Sequence, residues 1–286
     1  MIPSNPAVPP QPDLHNHPRP ALEATPSCSW LGASIDLREV DSTNAFIRRL
    51  LEGDHQGLWP LPVAVWTGRQ RAGKGRGTNF WWSDAGTLTF TVALDPAAQR
   101  LRLDHLPRLA LACAVAIVDV VEPLAPQARW TIRWPNDVEA NNLKVAGILP
   151  ERFATPCGDR LALGVGLNVS TNWNHAPESV RRMAASVESI RGTVLADQER
   201  RDLASRLLER LVARLTQLAD DHPDLAERWD QLDQLKGNRV RIRQGERVLE
   251  GVGGGIDPTG ALRLLTADGS IQSIVGGVVE RNPPHG

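Results

Sequence analysis

The segment "GRQRAGKGRG" at residues 68–77 places four cations among four glycines, a composition suited to holding an anion. Gly68, Gly73 and Lys74 nearly match the P-loop pattern G-x-x-x-x-G-K-[ST]. A P-loop also needs a hydroxyl side chain that binds Mg²⁺, and a helix must follow the loop directly. Here Gly75 follows the lysine, and the next residues lack helical spacing of apolar side chains. The segment is therefore not predicted to be a P-loop.

Two other interpretations of residues 68–77 remain open. A basic surface turn would explain the charge run. Alternatively, glycines at 73, 75 and 77 leave backbone amides accessible between the cations, so that N–H groups and cationic side chains wrap one anion together. The chain has 32 basic and 33 acidic residues and a formal net charge of −1. General attraction to nucleic acid or membranes is therefore not expected, and anion binding must come from a local cluster such as this one.

The segment "VDSTN" at residues 40–44 precedes a helical pattern, "AFIRRLL". Asp41, Ser42 or Thr43 is of the right type to cap that helix, because their side-chain oxygens accept hydrogen bonds from free amides at a helix start. Alternatively, Ser42, Thr43 and Asn44 line a polar pocket at the helix start. The residues alone favour capping.

The segment "RWPNDVEANNLKVAGIL" at residues 133–149 combines a turn with polar residues. Pro135 ends a strand and fixes a turn, which leaves Asn136 and Asp137 at the strand end, where ligands often bind. Lys144 stands at the start of an apolar strand that contains Gly147. A lone lysine at such a position is more often solvated than functional.

The segment "LGVGLNV" at residues 163–169 has glycines at 164 and 166 inside a strand pattern. Glycines there indicate that a ligand or another backbone approaches closely, although a tight strand crossing would also explain them. Asn168 closes this strand with an amide side chain.

Strand and helix patterns alternate around these segments. Strands are predicted at 63–66, 86–94, 130–134 and 161–169, and the second is expected to be half-buried because its large apolar residues alternate. Residues 106–122 are apolar nearly all round and predict a central helix. Leucines at helical spacing between 203 and 218 predict an amphipathic surface helix. The interleaving predicts a mixed α/β catalytic domain over residues 35–234.

The two ends of the chain differ from this middle part. Residues 1–34 are rich in proline and polar residues and predict a disordered tail. After residue 235, short β-branched runs alternate with Gly, Asp and Asn turns and predict a small β-barrel over 235–283. The sequence has three scattered cysteines, no pattern typical of a signal peptide and no apolar run long enough to span a membrane. These features favour a cytoplasmic protein without membrane partners.

Over about residues 38–280 the chain resembles the biotin protein ligases. The resemblance rests on the order of its segments: "STN", "GKGRGTNFWWS", "RWPNDV…LKVAGIL", "GVGLNVS" and then a small β domain. The resemblance implies an α+β fold: a mixed β-sheet flanked by helices (class II synthetase-like) with a C-terminal SH3-like β-barrel. It implies ATP-dependent activation of biotin to biotinyl-5′-AMP, with Mg²⁺. Transfer to a lysine of a biotin carboxyl carrier protein or domain of a biotin-dependent carboxylase would follow.

The resemblance also implies roles for individual residues. Lys144 and Arg76 would be catalytic. The residues implied to contact biotin are Ser42, Thr43, Asn44, Gln70, Gly73, Lys74, Gly75, Arg76, Lys144, Gly147, Gly164 and Gly166. Those implied to contact the nucleotide are Arg76, Trp81, Asn136, Asp137 and Asn168, and Asp137 would weakly assist Mg²⁺ held by the phosphates.

The sequence departs from the family pattern at several positions. Lys74 stands where many bacterial members have arginine, and lysine cannot bind an anion bidentately. Thr78 replaces a frequent glycine, Arg133 replaces a common lysine, and Ala146 replaces a glycine. The family's DNA-binding domain is absent from the sequence, so no nucleic-acid partner is expected. The state could be monomer or homodimer.

Two alternatives stay open at this point. A lipoate ligase or octanoyl transferase has a similar fold, but lacks the paired glycine-rich and "WPND" blocks and needs an apolar channel for its acyl chain. A non-catalytic biotin-sensing regulator would need an effector module, which the first 35 residues do not resemble.

Overall fold

The computed structural model describes residues 28–53, 59–102 and 105–280. A seven-stranded mixed sheet has the order β1-β2-β3-β7-β6-β5-β4, in which only β1 and β2 pair in parallel. Its strands are β1 (Ala33–Leu37), β2 (Val63–Thr67), β3 (Thr87–Leu94), β4 (Trp130–Arg133), β5 (Asp137–Ala140), β6 (Leu143–Thr155) and β7 (Gly158–Asn168).

Six α-helices accompany this sheet within the described residues. They are α1 (Thr43–Glu52), α2 (Leu106–Val121), α3 (Glu178–Arg181), α4 (Val187–Arg191), α5 (Asp197–Ala219) and α6 (Pro223–Leu232). Helix α2 lies on one face of the sheet and packs against β4, β5 and β6, while α5 and α6 pack onto α2. Helix α1 packs against β2, β3, β6 and β7. The prediction of a mixed sheet flanked by helices is confirmed.

The prediction that β3 is half-buried is wrong, because all eight of its residues are buried. Its large apolar side chains, such as Phe90, belong to the main core with α2. The alternate residues are small or polar: Ala93 joins a second core with α1, and Thr91 is fully buried. Apolar alternation marked the face toward α2 correctly, but did not reveal that the opposite face is covered too.

The two long helices match their predictions. Helix α2 spans residues 106–121, and the five leucines predicted on the buried face of α5 are all buried. Asp119 of α2 accepts a hydrogen bond of 2.6 Å from Arg214 of α5, and Arg228 of α6 lies 3.5 Å from the same carboxylate. This largely buried ion-pair cluster joins the three helices.

The C-terminal domain is a five-stranded antiparallel sheet in the order β11-β10-β9-β8-β12. Its strands are β8 (Arg239–Gln244), β9 (Arg247–Ile256), β10 (Leu262–Leu265), β11 (Ile271–Ile274) and β12 (Val278–Val279). This agrees with the predicted SH3-like fold.

Two residues at the end of β4 connect the C-terminal domain to the large sheet. Arg133 donates to the carbonyl oxygens of Val279 (3.2 Å) and Glu280 (2.8 Å). Trp134, which is 2% exposed, donates through its indole N–H to Gly260 O at 3.1 Å. The position of the small domain is therefore coupled directly to the strand that precedes the "PND" turn.

The predicted boundary of the N-terminal tail needs correction. Strand β1 begins at Ala33, and the Trp30 indole donates to Gln99 at 3.1 Å. Leu31 packs against the main core. Residues 28–34 therefore belong to the folded domain, since pairing with β2 fixes this segment. The rest of the predicted tail, 1–27, lies outside the described residues. Among the described helices, none has the length and apolar character required to cross a membrane.

Asp36 on β1 predicts a pH-dependent contribution to stability. Burial raises the pKa of its carboxyl group to about 6. The folded state therefore binds this proton more tightly than the unfolded state, so stability falls as pH rises from about 4 through about 6. Because the carboxyl group is only partly buried, we expect Asp36→Asn to raise the free energy of unfolding by about 1–2 kcal/mol at pH 7.5.

The gain should vanish at pH 4, where the folded wild-type carboxyl group is already neutral. Urea unfolding of both proteins at pH 4, 5.5 and 7.5 measures this difference. Asp159→Asn, which changes an exposed carboxylate paired with Arg152, is the matched control. An equal effect of Asp36→Asn at all three pH values would contradict the prediction.

Candidate functional site

Residues with small side chains or none form the floor of a large cavity on one face of the sheet. Cross-strand pairing places Gly147 of β6 beside Gly166 of β7, which in turn pairs with Thr89 of β3. In the next row on the same face, Leu149 of β6 pairs with Gly164, and Gly164 pairs with Thr91. The three glycines, which are separated in sequence, therefore meet on one face of the sheet.

Two side chains occupy the space that these glycines leave. A Cβ atom at position 164 would lie 2.4 Å from Asn44 Oδ1, and one at position 166 would lie 2.3 Å from the Trp81 ring. A Cβ atom at position 147 would lie 3.2 Å from the same ring. The glycines indeed permit a close approach, but in this structure the approaching groups are the side chains of Asn44 and Trp81.

The start of α1 forms the polar end of the cavity. The capping prediction is wrong: the Ser42 side chain at the N-cap makes no capping hydrogen bond. Instead, the backbone N–H of Thr43 donates to Gln70 Oε1 at 2.8 Å. Asp41 is held outward by a bidentate ion pair with Arg49, which lowers the pKa of Asp41 to about 2. Because Gln70 supplies the acceptor, the helix start can face the cavity.

The glycine-rich segment forms a small hairpin at the cavity edge. Gly75 N donates to Asn79 O at 2.9 Å, and Trp81 N donates to Gly73 O at 2.8 Å. Gly77 at the tip has φ of +60°, a conformation that favours glycine. Gly73 does not line the cavity, since it is buried against the carbonyl of Trp81. Its missing side chain lets the hairpin close.

The cations of this segment divide into two groups. Arg69 and Arg71 point to the surface and form ion pairs with Glu39 at 3.7 and 3.3 Å. Lys74 and Arg76 line the cavity, with Lys74 the more exposed of the two. The surface-turn interpretation therefore fits the first half of the segment, and the ligand-wrapping interpretation fits the second half.

Three charged side chains converge at the other end of the cavity. Lys144 Nζ lies 2.6 Å from Asp137 Oδ1 and 5.7 Å from the centroid of the Trp81 ring. Arg76 donates to Gly277 O of the C-terminal domain at 3.4 Å. Burial lowers the pKa of Arg76, and the nearby charge of Asp137 opposes that shift. Lys144 is thus an ion-paired residue of the cavity wall rather than a solvated one.

Two asparagines hold the backbone at this end. Asn136 Nδ2 donates to Ile148 O at 2.7 Å, and Asn168 Nδ2 lies 3.5 Å from Lys144 O. The Asn168 Oδ1 and Trp81 Nε1 atoms are buried and have no hydrogen-bond partner among the described residues. Buried polar atoms of this kind are normally satisfied, so these two atoms are exceptions to the general pattern.

The cavity has a volume of about 1400 Å³ and brings together almost all predicted site residues. It is lined by Ser42, Thr43, Asn44, Gln70, Lys74, Gly75, Arg76, Trp81, Asn136, Asp137, Lys144, Gly147, Gly164, Gly166 and Asn168. A cavity with an uncharged polar end and a charged end can hold a small molecule that carries an amide-like group and a phosphate or carboxylate.

Sequence reasoning missed several residues of the cavity wall. Trp82 and Trp173 lie with ring centroids 5.8 Å apart at its edge. The C-terminal domain contributes residues 243–245 and 275–280. The "WW" pair was a usable signal for an aromatic wall, but the domain contact had no signal in the local sequence, because it arises from docking.

The carboxylates near the cavity permit only a limited role in metal binding. No group of three or more His, Cys, Asp or Glu side chains able to hold a metal occurs among the described residues. Asp137 is the predicted carboxylate, and it already pairs with Lys144. Such a site fits Mg²⁺ that is bound mainly by phosphate oxygens, as Mg²⁺ commonly is, and not a closed protein cage.

Comparisons with known proteins agree across the chain. Residues 37–168 match the biotin/lipoate A/B protein ligase family, and residues 237–281 match the biotin protein ligase C-terminal domain. The biotin–[acetyl-CoA-carboxylase] ligase of Mycobacterium tuberculosis is 32% identical, covering 87% of this chain and 91% of that protein. The enzyme of the same name from Paracoccus denitrificans is 31% identical, covering 80% and 92%.

A solved structure is similar over the same range. The biotin protein ligase from Aquifex aeolicus in complex with biotin and ATP superposes with a TM-score of 0.70 at 25% identity. It covers 87% of this chain and 98% of that one. The likeness therefore includes both the large sheet and the C-terminal domain.

The glycine floor yields a prediction about Trp81. Gly166→Ala places a methyl group where the ring now lies, so we expect the ring to be displaced toward solvent. Acrylamide quenching of tryptophan fluorescence should increase relative to wild type, and the increase should be lost when Trp81→Phe is added. Gly254→Ala, whose Cβ would meet only ordinary contacts at 3.4 Å, is the control. Unchanged quenching in Gly166→Ala would contradict the predicted displacement.

Proposed function

Since this chain belongs to the biotin protein ligase family, we propose that it joins biotin to a protein lysine in two ATP-dependent steps. In the first step, the biotin carboxylate attacks the α-phosphorus of ATP, pyrophosphate leaves, and biotinyl-5′-AMP forms. In the second, the lysine amine attacks the carbonyl carbon of this mixed anhydride, AMP leaves, and an amide is formed. The observation that carries the proposal is a cavity that combines a neutral polar end with a cationic end.

The neutral end fits the ureido ring of biotin. Thr43, Asn44 and Gln70 present hydroxyl and amide groups there without a net charge, as a neutral ring with both N–H and C=O groups requires. Leu149 and the Trp81 ring provide apolar surface along the cavity between this end and Lys144. The carboxylate of biotin would then point toward the charged end.

The charged end fits the developing negative charge of both steps. Lys144 and Arg76 are fixed before substrate arrives, Lys144 by its ion pair and Arg76 by Gly277 O. Preorganised cations in a partly dehydrated site stabilise a transition state more than mobile ones do. We assign the nucleotide to this end, beside Trp81, Asn136, Asp137 and Asn168.

ATP reacts as its magnesium complex in this proposal, and Mg²⁺ would neutralise charge on the phosphates of the leaving group. Asp137 is the residue of this chain that would assist the ion. Lys144, now paired with Asp137, would exchange part of that pairing for the substrate carboxylate and α-phosphate. The hairpin at residues 74–80 would restrict water, to which the mixed anhydride is reactive.

The acceptor is proposed to be the biotin carrier domain of a biotin-dependent carboxylase. The relatives from M. tuberculosis and P. denitrificans are named for acetyl-CoA carboxylase. Four exposed apolar side chains surround this cavity: Phe80, Met183, Val275 and Val278, exposed by 59%, 43%, 74% and 56%. An apolar rim of this kind suits a folded protein that covers the opening. The proposal includes a cytoplasmic location and no nucleic-acid partner.

The direct test combines the full chain, ATP, Mg²⁺, biotin and a carboxylase carrier domain. Intact-mass spectrometry should show one added biotinyl group on the carrier, and none when its target lysine is replaced by arginine. Lipoate and octanoate in place of biotin test the alternative acyl ligases of similar fold. Modification with either acid but not with biotin would overturn the proposal, and biotin binding without any transfer would favour the sensing regulator.

Lys144→Ala should lower biotin-dependent exchange of pyrophosphate into ATP by about 10²–10³-fold, because one preorganised cation of the transition state is lost. Lys236→Ala, which removes an exposed cation paired with Asp230, is the control and should keep the rate. Circular dichroism should show that both variants are folded. An unchanged exchange rate in Lys144→Ala would remove that residue from the mechanism.

Arg76→Ala should release the intermediate faster, because Arg76 lines the cavity and bonds to the C-terminal domain. We expect the half-life of bound radiolabelled biotinyl-5′-AMP to fall about tenfold or more, as for the loss of one charge-assisted hydrogen bond. Arg69→Ala is the matched control, since Arg69 lies in the same segment but pairs with Glu39. A wild-type half-life in Arg76→Ala would contradict the assignment.

A further inference from the structure

A chain of hydrogen-bonded side chains runs along the neutral end of the cavity. Asn44 Nδ2 donates to Glu151 Oε2 at 2.6 Å, and Thr91 Oγ1 lies 2.6 Å from Asn44 Oδ1. Thr91 Oγ1 is also 2.7 Å from Thr43 Oγ1, which is 3.1 Å from Gln70 Oε1. These hydrogen bonds thus connect Glu151, on the strand that carries Lys144, with Gln70 of the glycine-rich segment through the start of α1.

Both ends of this chain have a fixed polarity. The Glu151 carboxylate can only accept, and Leu149 O, another acceptor, lies 3.1 Å from the same Asn44 nitrogen. The Asn44 amide must therefore turn its nitrogen to β6 and its oxygen to Thr91. At the other end, the Thr43 N–H fixes Gln70 Oε1 as the acceptor. The hydrogen-bonded series therefore has an amide oxygen at each end and two hydroxyl groups between them.

Hydrogen-bond acceptors outnumber donors along this chain. Its four oxygens are Asn44 Oδ1, Thr91 Oγ1, Thr43 Oγ1 and Gln70 Oε1, and each can accept. The donors are the two threonine hydroxyls, which carry one hydrogen each, and the Thr43 N–H, which is bonded to Gln70 Oε1. Whichever way the hydroxyls turn, at least one oxygen of the chain receives no hydrogen bond from it. The neutral end of the cavity is therefore rich in acceptors and suits an N–H or O–H group of a ligand.

We propose that Glu151 is a positioning residue for biotin: together with Leu149 O, it holds the Asn44 amide with its oxygen inward, so that the cavity accepts a ureido N–H. This inference rests on the proposed function and extends it to a residue that lines no part of the cavity. Within the described ranges, Glu151 forms no ion pair with a Lys, Arg or His side chain. Its hydrogen bond to Asn44 is thus its polar contact with the site.

Two substitutions separate positioning from simple structural support. Glu151→Met keeps the length of the side chain but removes the acceptor, and we expect biotin binding to weaken about 10–100-fold, as for a lost hydrogen bond to a charged group. Glu151→Gln keeps an acceptor and should stay within about 3-fold of wild type. Arg152→Met, the adjacent exposed residue paired with Asp159, is the control.

Isothermal titration calorimetry of the full-length variants measures binding of biotin and, separately, of ATP. ATP affinity should be unchanged in Glu151→Met, since the nucleotide is assigned to the other end. Biotin methylated at one or the other ureido nitrogen is the second probe. Wild-type protein should bind one of the two methylated isomers about tenfold or more weakly than biotin. This loss of affinity should largely disappear in Glu151→Met, because the acceptor is no longer aligned.

Three results would overturn the inference. They are wild-type biotin affinity in Glu151→Met, an equal loss of biotin and ATP affinity, and a methylation penalty that is the same in wild type and Glu151→Met. Wild-type protein that binds neither biotin nor either methylated derivative would instead overturn the proposed function. The two failures are therefore distinguishable in one set of titrations.

Discussion

The absence of side chains at three positions of one sheet face is the constraint on which the site depends. Gly164 and Gly166 leave no room for a Cβ atom, because Asn44 and the Trp81 ring already lie on the sheet there. Gly147 extends the same surface to Lys144. With larger residues, α1 and the hairpin would be lifted from the sheet, and the polar groups would separate from the cations. Close packing thus has a functional consequence here, because it determines which groups share one cavity.

The two ends of the cavity differ in how their polar groups are satisfied. At the neutral end, buried hydroxyls and amides satisfy one another almost completely, which fixes their orientation. At the charged end, Lys144 and Asp137 neutralise each other, while Arg76 is held by a backbone carbonyl. Buried polar networks are costly when incomplete. The cavity therefore favours a ligand that both completes the hydrogen bonds of the neutral end and contacts the charged side chains of the other end. A ligand that makes only one of these two sets of contacts is expected to bind more weakly.

The C-terminal domain is part of the site and not only an appendage. Arg133 and Trp134 tie it to the end of β4, immediately before the "PND" turn, and Gly277 accepts a hydrogen bond from Arg76. The same strand end thus positions both Asp137 and the small domain. Arg76 thus links the hairpin to the C-terminal sheet through a hydrogen bond to a backbone carbonyl.

Sequence patterns determined most elements, since apolar periodicity reports which residues contact a core. The leucines of α5, the helix at 106–122 and most strands of both sheets were predicted from it, but β1, β5 and β12 were not. The order of short motifs indicated the family, and most predicted site residues do line one cavity. Tertiary structure decided the rest. Gln70, 27 residues away, replaced the expected cap of α1, and Glu39 drew two arginines of the basic segment to the surface. Residues distant in sequence also determine the second covered face of β3, the contact of Arg76 with Gly277 and the position of Glu151. A local sequence pattern does not specify which distant residues come into contact.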